Sequence, residues 1–337
     1  MNIENLSIIA EIGSVHDGSF GNAINLIECA AEAGATSVKF QTHLAEAETL
    51  ANAPSPAYFK SEPRIEYFRR TGFKKKQWLE LANACQHNGV EFMSSPFSLE
   101  AVDLLEKVEM ARYKIPSGEV TNLPLLEKIG ALGKPVLLSS GMSSWQELDE
   151  AVDSIRKGGA PLVVMQCSSL YPCPPEKVGL NVMLEMKDRY DTPFGYSDHT
   201  LGVAASIAAV TLGATVVEKH FTFSRLMYGS DALHSMEPNE FAEFSRALRE
   251  TRAIMDNPVE KSNTSDYNEM KMIFQKSIVA ARNLKKGMVL TERDLAFKKP
   301  GRGIGAECYR DVLGRVLVSE VGKDEFILKE HLDDRRA

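Results

Sequence analysis

Short apolar runs ending on polar residues recur along the first 220 residues, with helix-length amphipathic stretches between them. The runs fall at 7–12, 37–41, 91–95, 111–115, 135–139, 162–167, 193–197 and 215–220. Each is too short for a helix and rich in Val, Ile, Leu and Phe, which predicts buried strands. Segments such as 21–33, 76–88, 145–157, 203–212 and 239–255 show the 3.6-residue period of helices packed on one face. Gly34, Gly89 and Gly213 close three of these helical patterns in the manner of C-terminal caps. Eight strand-then-helix units in series predict a parallel sheet, and eight is the closing number of a (β/α)8 (TIM) barrel. An open doubly wound sheet is the competing α/β arrangement. No G-x-G-x-x-G or G-x-x-x-x-G-K-[ST] follows the first run, which counts against it.

The pattern changes after residue 256. Residues 257–275 are polar and turn-rich and read as a linker between a barrel over 1–256 and a tail over 276–337. The tail holds two strand–turn–strand patterns, built on Lys286-Gly287 and Gly322-Lys323, and is expected to be a small β-rich domain.

Composition narrows the function classes. Apolar residues make up 44% and charged residues 25%, the balance of a globular protein. No apolar run approaches the roughly 18 residues needed to span a bilayer, so no membrane partner is expected. A net charge of −7 disfavours nucleic acid, and the Lys74-Lys75-Lys76 cluster opens a helical pattern as a solvated surface. The N-terminus shows no secretory pattern, and the five cysteines include no C-x-x-C pair. A cytoplasmic location is therefore expected.

In a barrel of this kind the chemistry gathers at the C-terminal ends of the strands. Those ends here supply Glu11, then Lys39 with Gln41, Ser94 with Ser95, and Lys114 with the turn Ser117-Gly118-Glu119. They continue with Ser139 and Ser140, Ser197-Asp198-His199, and Glu218-Lys219-His220. Any one of these could be an ordinary solvated strand end. Their concentration on seven ends argues otherwise, because charge inside a barrel is costly unless paired or bound to a ligand. His199 and His220 hold corresponding positions on adjacent strands, while alternation turns Lys219 outward. Two imidazoles near carboxylates suit a divalent metal with water completing its shell, against the alternative of two structural histidines. His16, His43 and His234 lack that double context. Lys39 and Lys114, with hydroxyls from Ser95, Ser117 and Ser139, suit a phosphate and carboxylate cradle, the alternative being lysines ion-paired to neighbouring glutamates. A Ser–His–Asp hydrolase is rejected: residues 197–199 are adjacent on one strand, and no G-x-S-x-G elbow occurs.

The same residues resemble the sialic acid synthase family, which covers N-acetylneuraminate, legionaminic acid and pseudaminic acid synthases. IIAEIGSVHDGS, VKFQT, SSPFS, YKIPSGE, LLSSGM, YPCPPEKVGL, GYSDHTLG and EKHFT follow in that family's order, and SIVAARNLKKGMVLTERDLAFKKPGRGIG is similar to its antifreeze-like (SAF) domain. The resemblance implies condensation of phosphoenolpyruvate with an N-acylated aminosugar, either N-acetylmannosamine or a 2,4-diacetamido-trideoxyhexose. It implies phosphoenolpyruvate binding by Lys39, Ser95, Lys114, Ser117, Ser139 and Ser197, with Glu119 nearby. His199 and His220 would hold a Mn²⁺-type ion, with Mg²⁺ or Co²⁺ as alternatives, and Glu11 and Glu218 match acids of the site. Gln41, Tyr171 and Asp231 match aminosugar contacts. It also implies a domain-swapped homodimer, the tail of one protomer closing the other's barrel. Lys299 stands where the family's tail motif has arginine, with Arg302 three residues on. Ser169 stands where asparagine is frequent, and the loop after His220 departs from the family's G-P-D pattern. Two other readings remain: another barrel synthase or aldolase using phosphoenolpyruvate or pyruvate, and an inactive carbohydrate-binding protein.

Overall fold

A computed structural model describes residues 6–54, 62–229 and 231–334. The chain divides into two compact units, Met1–Asn257 and Pro258–Ala337.

The first unit is an eight-stranded parallel ring: β1 Ser7–Gly13, β2 Ser37–Thr42, β3 Glu91–Pro96, β4 Tyr113–Ile115, β5 Val136–Ser139, β6 Leu162–Cys167, β7 Phe194–Asp198 and β8 Val216–His220. Hydrogen bonding runs β3-β2-β1-β8-β7-β6-β5-β4, so β1 and β8 join in register (Glu11 opposite His220) and the seam lies between β3 and β4. The barrel is thus nearly closed, the three-residue β4 being shorter than the predicted 111–115 run. Helices cover the outside, and the helix Trp145–Lys157 shows why. Leu148, Ala151, Val152 and Ile155 are its buried stripe, and Ser144 and Glu147 form a reciprocal capping box at its start. Gly34 follows the helix Phe20–Glu32 with φ +91°, a left-handed turn that a side chain disfavours.

Alternation along the strands sorts the interior into layers. Ile9, Met93, Leu137, Val163, Met165 and Val216 form an apolar plug inside the ring. Two residues earlier on their strands lie Ser7 and Glu91, and buried Arg112 donates to both and to Ser37 at 2.7–2.9 Å. Two residues later come Glu11, Ser95, Ser139, Cys167 and Glu218. The period of two therefore sets a polar layer directly above a dry one. Their neighbours face the helices instead: Ile8, Ala10 and Ile12 belong to the outer core.

The second unit pairs β9 Ser277–Ala280 with β10 Leu295–Lys298 antiparallel, around a core that includes Ile278, Leu284, Leu290, Leu317, Val321 and Ile327. The two predicted turns do not close two local hairpins. Leu284 bridges Val321 and Val289 bridges Val316, so the flanks of one turn pair with those of the other. The expected linker 257–275 is also partly ordered, because Asn268–Phe274 forms a helix. Its NEMKMIF sequence holds good helix formers that a reading for polarity undervalued.

Candidate active site

The charged strand-end residues converge above the plug. Lys39 Nζ lies 3.0 Å from Glu11 and 3.3 Å from Glu218, and donates to Ser95 Oγ at 3.3 Å. Lys114 Nζ lies 3.4 Å from the same Glu218 oxygen and donates to Ser139 Oγ at 2.7 Å. Ser197 donates to that oxygen as well, at 3.3 Å. All are buried. Two ammonium groups and two carboxylates fill a volume that water barely reaches, so each pKa is a contest between burial and neighbours. Burial wins at Glu11, which is raised against the pull of Lys39, and at Lys114, which is lowered. Neighbours win at Glu218, held low by Lys114 and Lys39, and at Lys39, raised by Glu11 and Glu218.

Gln41 is two residues beyond Lys39 on the same face, and its amide donates to Glu11 at 2.8 Å. Asp231 reaches the same end of the barrel. A Cβ on Gly13 would stand 2.9 Å from its carboxylate and 3.2 Å from the Gln41 amide, so the bare glycine, itself at φ +53°, lets both approach. Ser117, on the turn after β4, packs with Ser169 against Gly141: a Cβ there would come within 2.5 Å of Ser117 Oγ and closer still to Ser169 Oγ. Sequence reading passed over Gly141, whose importance appears only once those loops meet.

His199 and His220 have ring centroids 5.5 Å apart, and Tyr171 stacks on His199 at 4.1 Å with its hydroxyl 3.1 Å from Nε2. The Ser168 carbonyl accepts from His199 Nδ1 at 2.7 Å, leaving the lone pair on Nε2. Burial lowers His220 to about 4, so its ring is neutral, and its Nδ1 is buried with no hydrogen-bond partner among the described residues. His199 shifts the other way: its burial is outweighed by the nearby Cys167 and the Ser168 carbonyl, which raise its pKa, and its Nε2 faces the Tyr171 hydroxyl. A neutral imidazole lone pair is what a divalent cation binds, and one ion with ligands at ~2.1 Å is compatible with this ring spacing, provided that His199 gives up its proton and its Tyr171 contact to the ion. No group of three or more His, Cys, Asp or Glu is set to hold a metal among the described residues, so an ion on His199 and His220 would have to take its remaining ligands from solvent and substrate.

Behind this layer, Lys219 and Asp198 form a buried ion pair at 3.0 Å on the outer face of the ring, where alternation puts them. Lys219 also donates to the Thr200 and Gly202 carbonyls. Two expected site residues have partners of their own. Glu119 is half-buried and accepts from Asn122 at 2.8 Å; burial raises its pKa, and the charges acting on it are Glu48 and Arg64. Lys299 lies in the second unit, exposed, with its ammonium 4.9 Å over the Phe274 ring. His43, set aside in the sequence, is buried and bonded to Gln41.

Comparison with known proteins gives this arrangement relatives. A model of the NeuB family matches residues 26–260, and a SAF domain model matches residues 275–333. The chain is 37% identical to N,N'-diacetyllegionaminic acid synthase of Campylobacter jejuni over 95% of its own length and 98% of that protein. It is 32% identical to human N-acetylneuraminate-9-phosphate synthase, over 97% and 92%. Among solved structures, the N-acetylneuraminic acid synthetase of Leptospira borgpetersenii in complex with citrate superposes with a TM-score of 0.69 at 30% identity, covering 79% of this chain and 90% of that one. Barrel, strand-end chemistry and small β-rich tail together have one family in common, and this chain belongs to it: it is an enzyme of the NeuB family of acid synthases, with a SAF domain following its barrel in sequence.

Proposed function

We propose that this enzyme condenses phosphoenolpyruvate with the open-chain aldehyde of an N-acylated aminosugar, releasing phosphate by C–O cleavage and yielding a nonulosonic (sialic-type) acid. The observation that supports it most is the pair of buried lysines bracketing Glu218 under a ring of serine hydroxyls. Lys39 and Lys114 supply point charge for the phosphate and carboxylate of phosphoenolpyruvate, and Ser95, Ser117, Ser139 and Ser197 supply hydroxyls that orient it.

C3 of phosphoenolpyruvate attacks the aldehyde carbon, whose oxygen takes up a proton. Water then adds to the electron-deficient C2. Glu11, made more basic by burial, accepts the first of the water's two protons; the second passes from the new C2 hydroxyl to the departing phosphate, which leaves with its bridging oxygen as C2 becomes a ketone. Gln41, Tyr171 and Asp231 face the aminosugar in this reading. His199 and His220 would hold a divalent ion, Mn²⁺ foremost, which as a Lewis acid supplies polarisation of the aldehyde when bound. Charge balance favours such an ion: the two lysines are already matched by Glu11 and Glu218, so an entering polyanion requires further positive charge. A homodimer in which the tail of one protomer closes the other's barrel, with Lys299 at the acyl group, belongs to the same proposal, as does a cytoplasmic location.

The test is incubation with phosphoenolpyruvate and Mn²⁺ across N-acetylmannosamine, 2,4-diacetamido-trideoxyhexoses and plain aldose phosphates, following phosphate release. Release only with aldose phosphates would replace this reading by an octulosonate-type synthase. No release with any aldehyde would leave a binding protein.

A further inference from the structure

His43 lies one residue past β2, buried, and nothing in the proposed chemistry uses it. Its ring is clamped between Phe68 and Phe97, with centroids at 3.7 and 4.1 Å and planes inclined by 10° and 22°. Two stacked rings at those distances occupy opposite faces, so the imidazole can neither tip nor slide. Its Nδ1 lies 2.8 Å from Glu48 Oε1, and its Nε2 lies 3.1 Å from Gln41 Oε1. Gln41 in turn donates from Nε2 to Glu11 Oε1 at 2.8 Å, and Glu11 meets Lys39. A continuous line of contacts therefore runs Glu48–His43–Gln41–Glu11–Lys39, from a loop into the polar layer.

The middle link has only two orientations. A carboxamide presents either NH₂ or oxygen to a given neighbour, and the two ends are similar in shape. With NH₂ toward the Glu11 carboxylate, the Gln41 oxygen faces His43 Nε2 and requires an N–H there. The Glu48 carboxylate on the other side requires one at Nδ1. Both ring nitrogens thus face acceptor oxygens, and the Gln41 side needs the N–H at Nε2.

We propose that His43 is a positioning residue whose Nε2–H, held in place by Glu48 and the Phe68–Phe97 clamp, locks the Gln41 carboxamide with its NH₂ toward Glu11. Turned the other way, Gln41 would set its oxygen against the Glu11 carboxylate and present the wrong group to an aminosugar hydroxyl. This inference rests on the reading of Gln41 as an aminosugar contact.

Two measurements test it. The first needs no turnover. In protein labelled with ¹⁵N-glutamine, the Gln41 side-chain NH₂ pair is assigned by its loss in Gln41→Leu. Wild type and His43→Phe, which keeps the stack but has no ring N–H, are then compared. The expected result is a shifted, faster-exchanging pair in His43→Phe, with Glu48→Gln between the two. An unchanged pair in both variants overturns the proposal.

The second is a double-mutant cycle on condensation. His43→Phe is expected to lower kcat/KM for the aminosugar by about tenfold to a hundredfold while KM for phosphoenolpyruvate stays within about threefold. Combined with Gln41→Leu, it should cost nothing beyond Gln41→Leu alone, since it acts through that residue. Losses that multiply would assign His43 a merely structural role and overturn the proposal. Should His43→Phe not fold, Glu48→Gln enters the same cycle with the same expectation. Wild-type inactivity on every aminosugar would refute the synthase reading alone, and the amide resonances would still decide whether His43 orients Gln41.

Discussion

Lys114 on β4 and Glu218 on β8 meet inside the ring at 3.4 Å, and the same carboxylate oxygen lies 3.3 Å from Lys39. One acid thus holds two lysines together inside the barrel. Replacing Lys114 by Met should weaken phosphoenolpyruvate binding, measured by calorimetry, by about a hundredfold, the loss of one desolvated charge contact. It should cost about 3 kcal/mol of stability or less, because Lys39 still partners Glu218. Retained affinity would remove Lys114 from the anion site.

The metal assignment has a direct readout. His220→Ala should abolish retention of Mn²⁺ in equilibrium dialysis while leaving the melting temperature of the metal-free protein within a few degrees. Its Nδ1 has no partner to lose among the described residues. Unchanged metal content would refute the assignment.

Asp198 and Lys219 are both about 1% exposed and paired at 3.0 Å, so they answer to stability. Lys219→Met strands a buried carboxylate that keeps only the Ser206 hydroxyl, the Thr200 amide and Tyr196 as partners. Denaturant unfolding should show a loss of about 3–5 kcal/mol. A double replacement by apolar residues of similar volume should recover much of it.

His16 gives the fold a pH dependence. Burial lowers its pKa from 6.5 to about 3, and its Nδ1 accepts from the Gly18 amide at 3.1 Å. The folded state thus favours the neutral ring. Its contribution is complete above the unfolded value of 6.5 and is lost as pH falls from there toward about 3. Within that window the slope is at most roughly 1.4 kcal/mol per pH unit. His16→Asn keeps an acceptor near the Nδ1 position without titrating, so the variant's stability should fall less steeply below pH 6.5 than the wild type's. Parallel curves would show that His16 does not titrate in this way.

Gly141→Ala should be well folded but impaired. The new Cβ would displace the Ser117 and Ser169 hydroxyls, raising KM for phosphoenolpyruvate about tenfold. Gly141→Ala with Ser169→Ala should recover part of the loss by giving the methyl group room. No effect would place Ser117 outside the substrate's reach.

Much of this was legible in the chain itself. Strand and helix periods are local properties, so all eight strands appear at the expected places within a residue or two. The period of two also determined that Glu11, Lys39 and Glu218 point inward while Asp198 and Lys219 point out. The rule that barrel chemistry lies at strand C-termini then singled out the candidate residues without any three-dimensional information. Which inward groups meet is not local. Lys39, Lys114 and Glu218 sit on the second, fourth and eighth strands, and their distances depend on the stagger and closure of the whole ring. Pairing in the tail is likewise decided at long range, as Leu284 chooses Val321 over its neighbour across the turn. The same holds for His43, whose partners come from residues 41, 48, 68 and 97. No spacing in the sequence announces that contact; packing the loops over the mouth of the barrel creates it.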